Sequence, residues 1–408
     1  MTRVAIIGSG VSGLVVARGL RSTHDITVFE ADRRIGGHVH TWTVERESRT
    51  WAIDSGFIVY NERNYPHFTR LIAELGVPTQ PSTMSFSVRH DGADLEYNGS
   101  TIRQLFAQKR NLLRPSFLRM LTEILRFNRE ATAAAGSLGD APIRELLDRG
   151  GYSAAFRDWY LLPMGSAIWS IPASTVLAMP ARFFVQFFSN HGMLTVDDRP
   201  EWRVVSGGSS RYVGALVAPF RDQIRTGSPV RRVSRFADRV EVNGEAFDRV
   251  VLACHSDQAL AILAEATPLE RELLGSLPYQ ANEAVLHTDA SVLPRRRAAW
   301  GAWNYRLGHD AGSPAVVTYN MNLLQSLEAP VTFCVTLNGD HLIDPAQVIG
   351  RVQYHHPVAT VAGAAARARR SEVSGAGRTH YCGAYWGNGF HEDGVASGLA
   401  VVSEIGSP

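Results

Sequence analysis

Three glycines near the start of the chain have the spacing of a phosphate-binding turn. Gly8, Gly10 and Gly13 follow a short β-type run, Val4 to Ile7, and precede an apolar stretch of helical character. In a strand–turn–helix unit, the first glycine allows the tight turn, the second lets a pyrophosphate approach the backbone, and the third lets the helix lie close to the strand. The start of the helix, around Ser12, then presents free N–H groups and a partial positive charge to the phosphates.

A second β-type run ends in an acid at the distance that such a unit needs. Ile26 to Phe29 is followed by Glu30, which lies 22 residues after Gly8. A carboxylate at this position can accept hydrogen bonds from the hydroxyls of a ribose. A glycine-rich turn alone is a weak signal, and a doubly wound fold that binds no phosphate is the plain alternative. Strand, helix and terminal acid together favour a dinucleotide site.

The residues after Glu30 distinguish between dinucleotides. Arg34, Gly36 and Gly37 follow it, and the whole segment resembles the extended fingerprint of the FAD-binding amine oxidase and phytoene desaturase superfamily. The narrower resemblance is to a bacterial NAD/FAD-binding amine oxidase-like subgroup. His38 stands where the superfamily usually has arginine. The resemblance implies FAD as the cofactor, with the glycine pair packed against its diphosphate and Arg34 donating to it; a solvated charged turn is the alternative for Arg34.

The same resemblance extends to segments far along the chain. Gly383, Asp393 and Gly394 match a terminal strand, loop and last helix that close the flavin site. The resemblance places Gly383 near the diphosphate, and it places the helix start at Asp393 and Gly394 so that a backbone N–H faces the flavin pyrimidine. It also places the backbone of Val230 against the adenine, although strands without a ligand contact remain the alternative there. Gly56 is expected at close approach to the flavin face.

These motifs at both ends of the chain imply an interleaved organisation. The resemblance implies an α/β fold with a doubly wound, Rossmann-type FAD-binding domain of the glutathione reductase kind, combined with an α+β substrate-binding domain. We expect the FAD-binding domain near 1–85, 200–265 and 370–408. The substrate-binding domain is then expected at 86–199 and 266–369.

Two stretches of the second domain, 102–131 and 142–162, have helical spacing. Within the first, apolar residues recur from Phe117 to Leu125 with arginines between them. Such a stripe fits a helix packed in the core, and it also fits a helix that contacts a membrane surface or lines a lipid channel. Both interpretations stay open from the sequence.

Aromatic residues are concentrated in 159–188 and return between Trp300 and Tyr319. Neutral amides such as Asn304, Asn320 and Gln325 accompany them. A pocket lined in this way would be apolar with few formal charges, which favours a small, hydrophobic substrate. Packing alone would explain many of these aromatic residues.

With FAD bound, the simplest chemistry is removal of a hydride from a substrate C–H bond to flavin N5, followed by reoxidation by O₂ or another acceptor. His391 directly precedes the acid–glycine pair, and we interpret it as a general base or a structural histidine. Tyr385 and Glu392 are weaker catalytic candidates. Many amine-oxidising relatives carry a lysine near N5, whereas Lys109 is the only lysine among the 41 basic residues and lies outside any matching segment.

Three functions therefore remain. The leading hypothesis is an FAD-dependent oxidase or desaturase that acts on an apolar, lipid-like substrate, since some members of the subgroup desaturate modified fatty acyl chains. The second is an amine oxidase that acts on a hydrophobic amine. A different class is also open, namely a flavin-dependent isomerase without net oxidation, or a protein that binds FAD without catalysis.

Composition limits the partners and the location. The 408 residues carry a formal net charge of +2, which disfavours nucleic-acid binding. No apolar run is long enough to span a bilayer, and the start of the chain does not resemble a secretion signal. The three cysteines are far apart, so we expect neither a disulfide framework nor a metal site. We expect a cytoplasmic protein whose oligomeric state the sequence does not indicate.

Overall fold

The computed structural model describes residues 1–134, 136–139, 141–195, 199–307 and 314–406. Parts of the predicted ranges 86–199, 266–369 and 370–408 therefore lie outside the described residues. The fold is of the mixed α/β type. None of its described helices is both long enough and apolar enough to cross a membrane.

The strands, in chain order, are β1 (Arg3–Ile7), β2 (Asp25–Phe29), β3 (Thr41–Arg46), β4 (Arg49–Asp54), β5 (Tyr60–Asn61), β6 (Thr79–Pro81), β7 (Phe86–His90), β8 (Leu95–Asn98), β9 (Trp202–Val205), β10 (Ile224–Arg225), β11 (Val233–Arg235), β12 (Val240–Val242), β13 (Glu245–Phe247), β14 (Arg249–Leu252), β15 (Tyr279–His287), β16 (Trp303–Arg306), β17 (Val316–Asn320), β18 (Cys334–Leu337), β19 (Val348–Pro357) and β20 (Thr379–Tyr381).

The α-helices are α1 (Val11–Leu20), α2 (Pro66–Glu74), α3 (Ile102–Leu105), α4 (Pro115–Ala134), α5 (Ile143–Arg149), α6 (Ala154–Phe156), α7 (Leu162–Trp169), α8 (Ala173–Ala178), α9 (Ala181–Asn190), α10 (Ser210–Val217), α11 (Ser256–Ile262), α12 (Pro268–Gly275), α13 (Met321–Leu324), α14 (Val361–Ala368) and α15 (His391–Gly406). Short 3₁₀ helices include Lys109–Leu113, Arg297–Ala299 and Ala384–Trp386.

Strands from distant parts of the chain form one parallel sheet in the order β10–β2–β1–β14–β20. Its central strand β1 is covered on both faces. Val4 and Ile6 pack in a cluster with α1, α2, α10 and α15, whereas Ala5 and Ile7 pack with α11, α12 and the antiparallel strands β11, β12 and β13. Burial on both faces explains why the run from Val4 to Ile7 is continuously apolar rather than alternating.

A second sheet of seven strands has the order β19–β15–β18–β17–β16–β7–β8. All of its pairings are antiparallel except β16 with β7. Helices α4 to α9 form a separate apolar cluster with β7 and β8, and Phe117, Phe156 and Phe184 are fully buried there. The second sheet therefore carries a helical layer that is rich in aromatic residues.

The predicted helices of 102–131 and 142–162 are each interrupted. Pro115 begins α4, and Arg114 before it is extended, because a residue that precedes proline avoids the helical region. Farther along, a π-helical turn at Arg157–Leu161 joins α6 to α7. Pro163 follows it and supplies no N–H, which breaks the regular hydrogen-bond pattern at this point.

Candidate cofactor and active site

The glycine turn between β1 and α1 gives each glycine a different steric environment. Gly8 has φ +109°, and a Cβ there would lie 2.7 Å from the carbonyl oxygen of Ala253. A Cβ on Gly13 would lie 2.1 Å from the carbonyl oxygen of Gly8. Gly10 has φ −68° and ψ 172°, which any residue can adopt, and a Cβ there would have no described atom within 4 Å. Gly10 therefore faces open space in front of the helix start.

Glu30 supports this turn from the end of β2. One of its carboxylate oxygens accepts hydrogen bonds from the backbone N–H of Ser9 at 2.9 Å and from the Ser9 hydroxyl at 2.6 Å. The other oxygen accepts from the N–H of Asp32 at 2.8 Å. Glu30 is half-buried, and its remaining lone pairs are available to a ligand. The sequence indicated a ribose acceptor and did not indicate this tie to Ser9.

The loop with the glycine pair packs directly on the turn. The N–H of Gly36 donates to the carbonyl oxygen of Ser9 at 3.1 Å, and a Cβ on Gly37 would lie 3.1 Å from the Cα of Gly10. The Arg34 guanidinium donates to the carbonyl oxygens of Val39 at 2.5 Å and Gly37 at 2.7 Å. Arg34 thus braces its own loop, and the solvated turn considered for it is wrong.

His38 lies between this loop and β19. Its ring stacks on Tyr354 with the centroids 5.0 Å apart, and burial lowers the pKa of His38 to about 3. Gly56 approaches it closely, since a Cβ on Gly56 would lie 1.9 Å from the carbonyl oxygen of His38. The structure thus brings the predicted positions 38 and 56 together, with His38 neutral where arginine was expected from the superfamily.

The last segment of the chain returns to the glycine turn. Gly383 follows β20, and its N–H donates to the hydroxyl of Ser397 at 3.0 Å. A Cβ on Gly394 would lie 2.7 Å from Val11 and 3.2 Å from the hydroxyl of Ser12. Since α15 crosses α1 at this close distance, the starts of the two helices lie side by side.

Asp393 belongs to the first turn of α15. It accepts a hydrogen bond from the N–H of Phe390 at 2.9 Å, as an acid in a helix cap does. Burial raises its pKa to about 6, partly opposed by that hydrogen bond. The cap keeps the start of α15 fixed beside Ser12.

Val230 lies on the other side of Glu30. The N–H of Ser228 donates to the carbonyl oxygen of Glu30 at 2.8 Å, which sets the segment beside the end of β2. Val230 itself is outside any strand, because β11 begins only at Val233. Among the described residues, none accepts a hydrogen bond from the backbone N–H of Val230, so this donor is available to a ligand.

His391 begins α15 inside an aromatic group. Its ring stacks on Phe57 with the centroids 3.8 Å apart and the planes 13° apart, and Phe68 meets its face edge-on at 5.0 Å. The Nε2 atom of His391 is 2.5 Å from the hydroxyl oxygen of Tyr212. Burial lowers the pKa of His391 to about 3, so the ring is neutral at physiological pH.

The other two catalytic candidates have different surroundings. Both carboxylate oxygens of Glu392 accept backbone N–H groups at the start of α2, from His67 at 3.0 Å and Phe68 at 2.9 Å. Tyr385 is buried beside Trp386 and Tyr279, and its hydroxyl has no hydrogen-bond partner among the described residues. Glu392 therefore caps a helix, while the Tyr385 hydroxyl remains available.

Several buried polar atoms near these loops lack partners within the described part of the chain. They are His38 Nε2, His40 Nδ1, Tyr385 Oη and Trp386 Nε1. Buried polar groups normally have a hydrogen-bond partner, so such atoms point to a polar ligand. They come from both the N-terminal loop and the C-terminal return. Together with the open space at Gly10, this donor set fits a dinucleotide such as FAD.

Sequence reasoning missed several residues that hold the site. Tyr212 pairs with His391 from α10 across 179 positions of sequence, and Phe57 supplies the ring on which His391 stacks. Gly398 lets α15 approach α1, since a Cβ there would lie 2.7 Å from the carbonyl oxygen of Ser12. Of these three residues, Phe57 directly follows the predicted Gly56.

The chain matches a known protein family. The model of the family described as flavin containing amine oxidoreductase matches residues 11–297. A flavin-dependent L-tryptophan oxidase from Lentzea aerocolonigenes is 26% identical over 265 residues, which cover 59% of this chain and 54% of that protein. The chain spans about half the length of the curated relatives that it matches.

Solved structures of low sequence identity share the fold over nearly the whole chain. Cyclohexylamine oxidase from Brevibacterium oxydans superposes with a TM-score of 0.72 at 16% identity and covers 100% of both chains. A fatty acid isomerase from P. acnes superposes with a TM-score of 0.70 at 15% identity and covers 99% of this chain and 98% of that chain.

Proposed function

Because the chain belongs to the family of flavin-containing amine oxidoreductases and its cofactor is FAD, we propose that this FAD-dependent oxidoreductase oxidises an apolar, uncharged, lipid-like substrate. The electrons then pass to O₂ or another acceptor. The family supports the redox class, and the partnered charges inside the fold support an uncharged substrate.

The proposal assigns the parallel sheet and its helices to an FAD-binding domain of the glutathione reductase kind. Its segments are taken near 1–85, 200–265 and 370–408, since β1, β2, β10, β14 and β20 come from these three stretches. The seven-stranded sheet and helices α3 to α9 then form the substrate-binding domain. The ranges 86–199 and 266–369 supply them.

The cofactor residues have separate roles in this proposal. Gly8 and Gly13 shape the turn, Gly10 leaves room for the diphosphate, and Ser12 presents the start of α1 to it. On the nucleoside side, Glu30 accepts from the ribose and the free N–H of Val230 meets the adenine. The remainder of the cofactor site is lined by Gly36, Gly37, His38, Gly56, Gly383, Asp393 and Gly394. Arg34 supports this lining through the hydrogen bonds within its own loop.

When bound, FAD accepts a hydride at its N5 atom. The chain contributes position and exclusion of water. His391 is neutral, and a ring with a pKa near 3 is a poor general base at physiological pH. We therefore assign His391 and its partner Tyr212 to holding the substrate side of the site. Tyr385 can donate a hydrogen bond, and Glu392 is left out of the reaction.

One observation carries the choice of an uncharged substrate. Each buried carboxylate and guanidinium among the described residues already has a partner within the fold. These residues are Asp54, Arg89, Glu96, Glu123, Glu270 and Asp289, together with the largely buried Asp393, which accepts from the N–H of Phe390. A buried ammonium or carboxylate of a substrate would need its own charged partner, and none of these groups is left to supply one.

Two unpartnered donors, one on β4 and one on β16, agree with this interpretation. The indole N–H groups of Trp51 and Trp303 are buried and have no described partner. Both side chains pack against the same apolar cluster as Tyr305 and Tyr319. An indole N–H can donate to a substrate carbonyl oxygen, whereas it offers no acceptor for an ammonium group. A fatty acyl group has this combination of an apolar chain and a carbonyl.

An amine oxidase is the second candidate. The family and the fold shared with cyclohexylamine oxidase favour it, although the Phe57 and His391 rings are in direct contact and leave no space for an amine between them. The sole lysine, Lys109, is exposed at the start of a 3₁₀ helix. An amine oxidase built on this chain would therefore lack a buried lysine.

The test compares two substrates of the same chain length, a long-chain fatty acyl amide and the corresponding long-chain primary amine. Oxygen consumption and product mass are followed with the purified flavoprotein. We expect turnover of the acyl compound with a product two mass units lighter. Turnover of the amine alone would replace the proposal by the second candidate, and a product of unchanged mass would indicate an isomerase.

A further inference from the structure

Exposed apolar side chains are concentrated in one part of the second domain. Nine large hydrophobic side chains of the described residues are exposed, and five of them lie between residues 102 and 125. The five are Ile102 at 79%, Leu112 at 51%, Leu113 at 87%, Leu118 at 40% and Leu125 at 61%. Single exposed apolar residues are ordinary, whereas a group of this size marks an interaction surface.

Helix α4 shows that this exposure is one-sided. Phe117, Met120 and Phe127 are buried in the aromatic cluster, while Leu118 and Leu125 face away from it. Since residues seven apart lie on the same helix face, the two leucines form an outer stripe. The predicted apolar stripe is thus divided: Phe117, Met120, Leu121 and Ile124 pack in the cluster, whereas Leu118 and Leu125 lie outside it.

The same stretch is strongly basic. Residues 99–129 contain Arg103, Lys109, Arg110, Arg114, Arg119, Arg126 and Arg129, against Glu123 as the single acid. Three of these cations are paired with acids: Arg119 with Glu123, Arg110 with Asp94 and Arg126 with Glu130. The exposed side chains of Arg103, Lys109 and Arg129 have no carboxylate partner among the described residues. The whole chain has a net charge of only +2, so these unpaired cations give the stretch a local excess of positive charge. We define α3, the 3₁₀ helix Lys109–Leu113 and the outer stripe of α4 as the basic apolar face.

A depression adjoins the basic apolar face at α3. Its volume is about 380 Å³, and its lining includes Ser100, Gln104, Arg297 and Trp300. The exposed guanidinium of Arg297 lies over the Trp300 ring, 5.3 Å from its centroid. Arg297 is the only charged residue in the lining. A cation beside an indole and polar side chains suits an anionic headgroup next to an apolar layer.

We propose that the basic apolar face docks on the surface of a membrane that contains anionic lipids. Leucine and isoleucine side chains surrounded by arginine and lysine are complementary to a layer with apolar chains below negative headgroups. A second copy of the chain fits less well, because two such faces would oppose like charges. Docking on the membrane does not depend on the oxidation reaction. The docking proposal can therefore fail while the proposed oxidation is confirmed, and the proposed oxidation can fail while docking is confirmed.

The experiment is co-sedimentation of the purified flavoprotein with vesicles. Vesicles of phosphatidylcholine alone are compared with vesicles that also contain phosphatidylglycerol. We expect binding to the anionic vesicles that weakens as salt is added. The charge-reversal pair Arg103→Glu with Lys109→Glu should weaken partitioning about 30-fold or more, at about 1 kcal/mol for each basic residue lost near the surface. The apolar pair Leu113→Glu with Leu125→Glu should abolish binding.

Matched controls change the same residue types elsewhere on the surface. Phe236→Glu with Val361→Glu replaces exposed apolar side chains, and Arg221→Glu with Arg271→Glu reverses exposed charges. Each variant must keep its flavin content and unfolding temperature. Equal partitioning to both vesicle types, or equal loss in test and control pairs, would overturn the proposal. The proposal would also be overturned if the protein formed a dimer in solution, the apolar pair of substitutions dissociated that dimer, and vesicles bound neither the wild type nor any variant.

Discussion

At the scale of single residues, Gly10 separates a ligand effect from a folding effect. The backbone at Gly10 suits any residue, and an added Cβ meets no described atom. We predict that Gly10→Val strips the flavin while the cofactor-free protein keeps its unfolding temperature. The measurement is the ratio of flavin to protein absorbance after purification, followed by a thermal melt of the apoprotein.

The control for Gly10 is Gly214→Ala, in the middle of α10 and equally free of described neighbours. It should keep full flavin and gain about 0.5–1 kcal/mol of stability, because alanine loses less backbone entropy in a helix. Full flavin occupancy in Gly10→Val would remove the phosphate site from this turn.

The neutral ring of His391 leads to a second prediction at this scale. His391→Phe keeps the stack on Phe57 but loses the hydrogen bond with Tyr212. We expect substrate oxidation to slow about tenfold to a hundredfold through misplacement of the reacting groups. Since the pKa of His391 is about 3, the wild-type rate should show no break near pH 6.5 that the substitution removes. A break of that kind would identify His391 as a general base instead.

At the scale of elements, Glu392 joins α15 to α2. Its carboxylate accepts two N–H groups at the start of α2, and helix caps of this type contribute about 1 kcal/mol. We predict that Glu392→Ala lowers the free energy of unfolding by about that amount and leaves the rate of flavin reduction unchanged. Chemical denaturation and anaerobic rapid mixing measure the two quantities. A large fall in rate with unchanged stability would return Glu392 to the catalytic residues.

Strand β15 carries a buried histidine that makes stability depend on pH. His287 is fully buried, its Nδ1 accepts from the N–H of Asp289, and its Nε2 meets the hydroxyl of Thr336. Burial lowers its pKa to about 4. Between pH 6.5 and 4 the unfolded chain binds this proton and the folded chain does not, so stability falls as the pH falls through that window.

We therefore predict that wild type loses more stability than His287→Gln when the pH is lowered from 7.5 to 5. The difference between the two losses should be about 2 kcal/mol. Other titrating groups are present in both proteins, so they cancel in the comparison. Denaturant midpoints at the two pH values provide the measurement, and parallel losses would contradict the assigned pKa direction.

At the scale of the whole molecule, the sequence predicted those features of the fold that depend on residues close together in the chain. The turn at Gly8, Gly10 and Gly13 follows from backbone requirements within a few residues, and so does the acid at the end of β2. The His391–Tyr212 pair and the bond from His67 to Glu392 join positions 179 and 325 residues apart. The periodic spacing of apolar residues along the sequence carries no information about contacts between such distant positions. Which side of α4 is buried and which side is exposed also depends on how the rest of the chain packs against this helix.

The proposed function requires that the bound flavin takes a hydride from an uncharged, apolar substrate. The most direct measurement is anaerobic rapid mixing of the flavoprotein with a fatty acyl compound while the visible flavin absorption is followed. We predict that the band bleaches at a rate that saturates with the acyl compound and that the matched long-chain amine leaves it unchanged. Bleaching by the amine alone, or conversion of the acyl compound without any bleaching, would contradict the account.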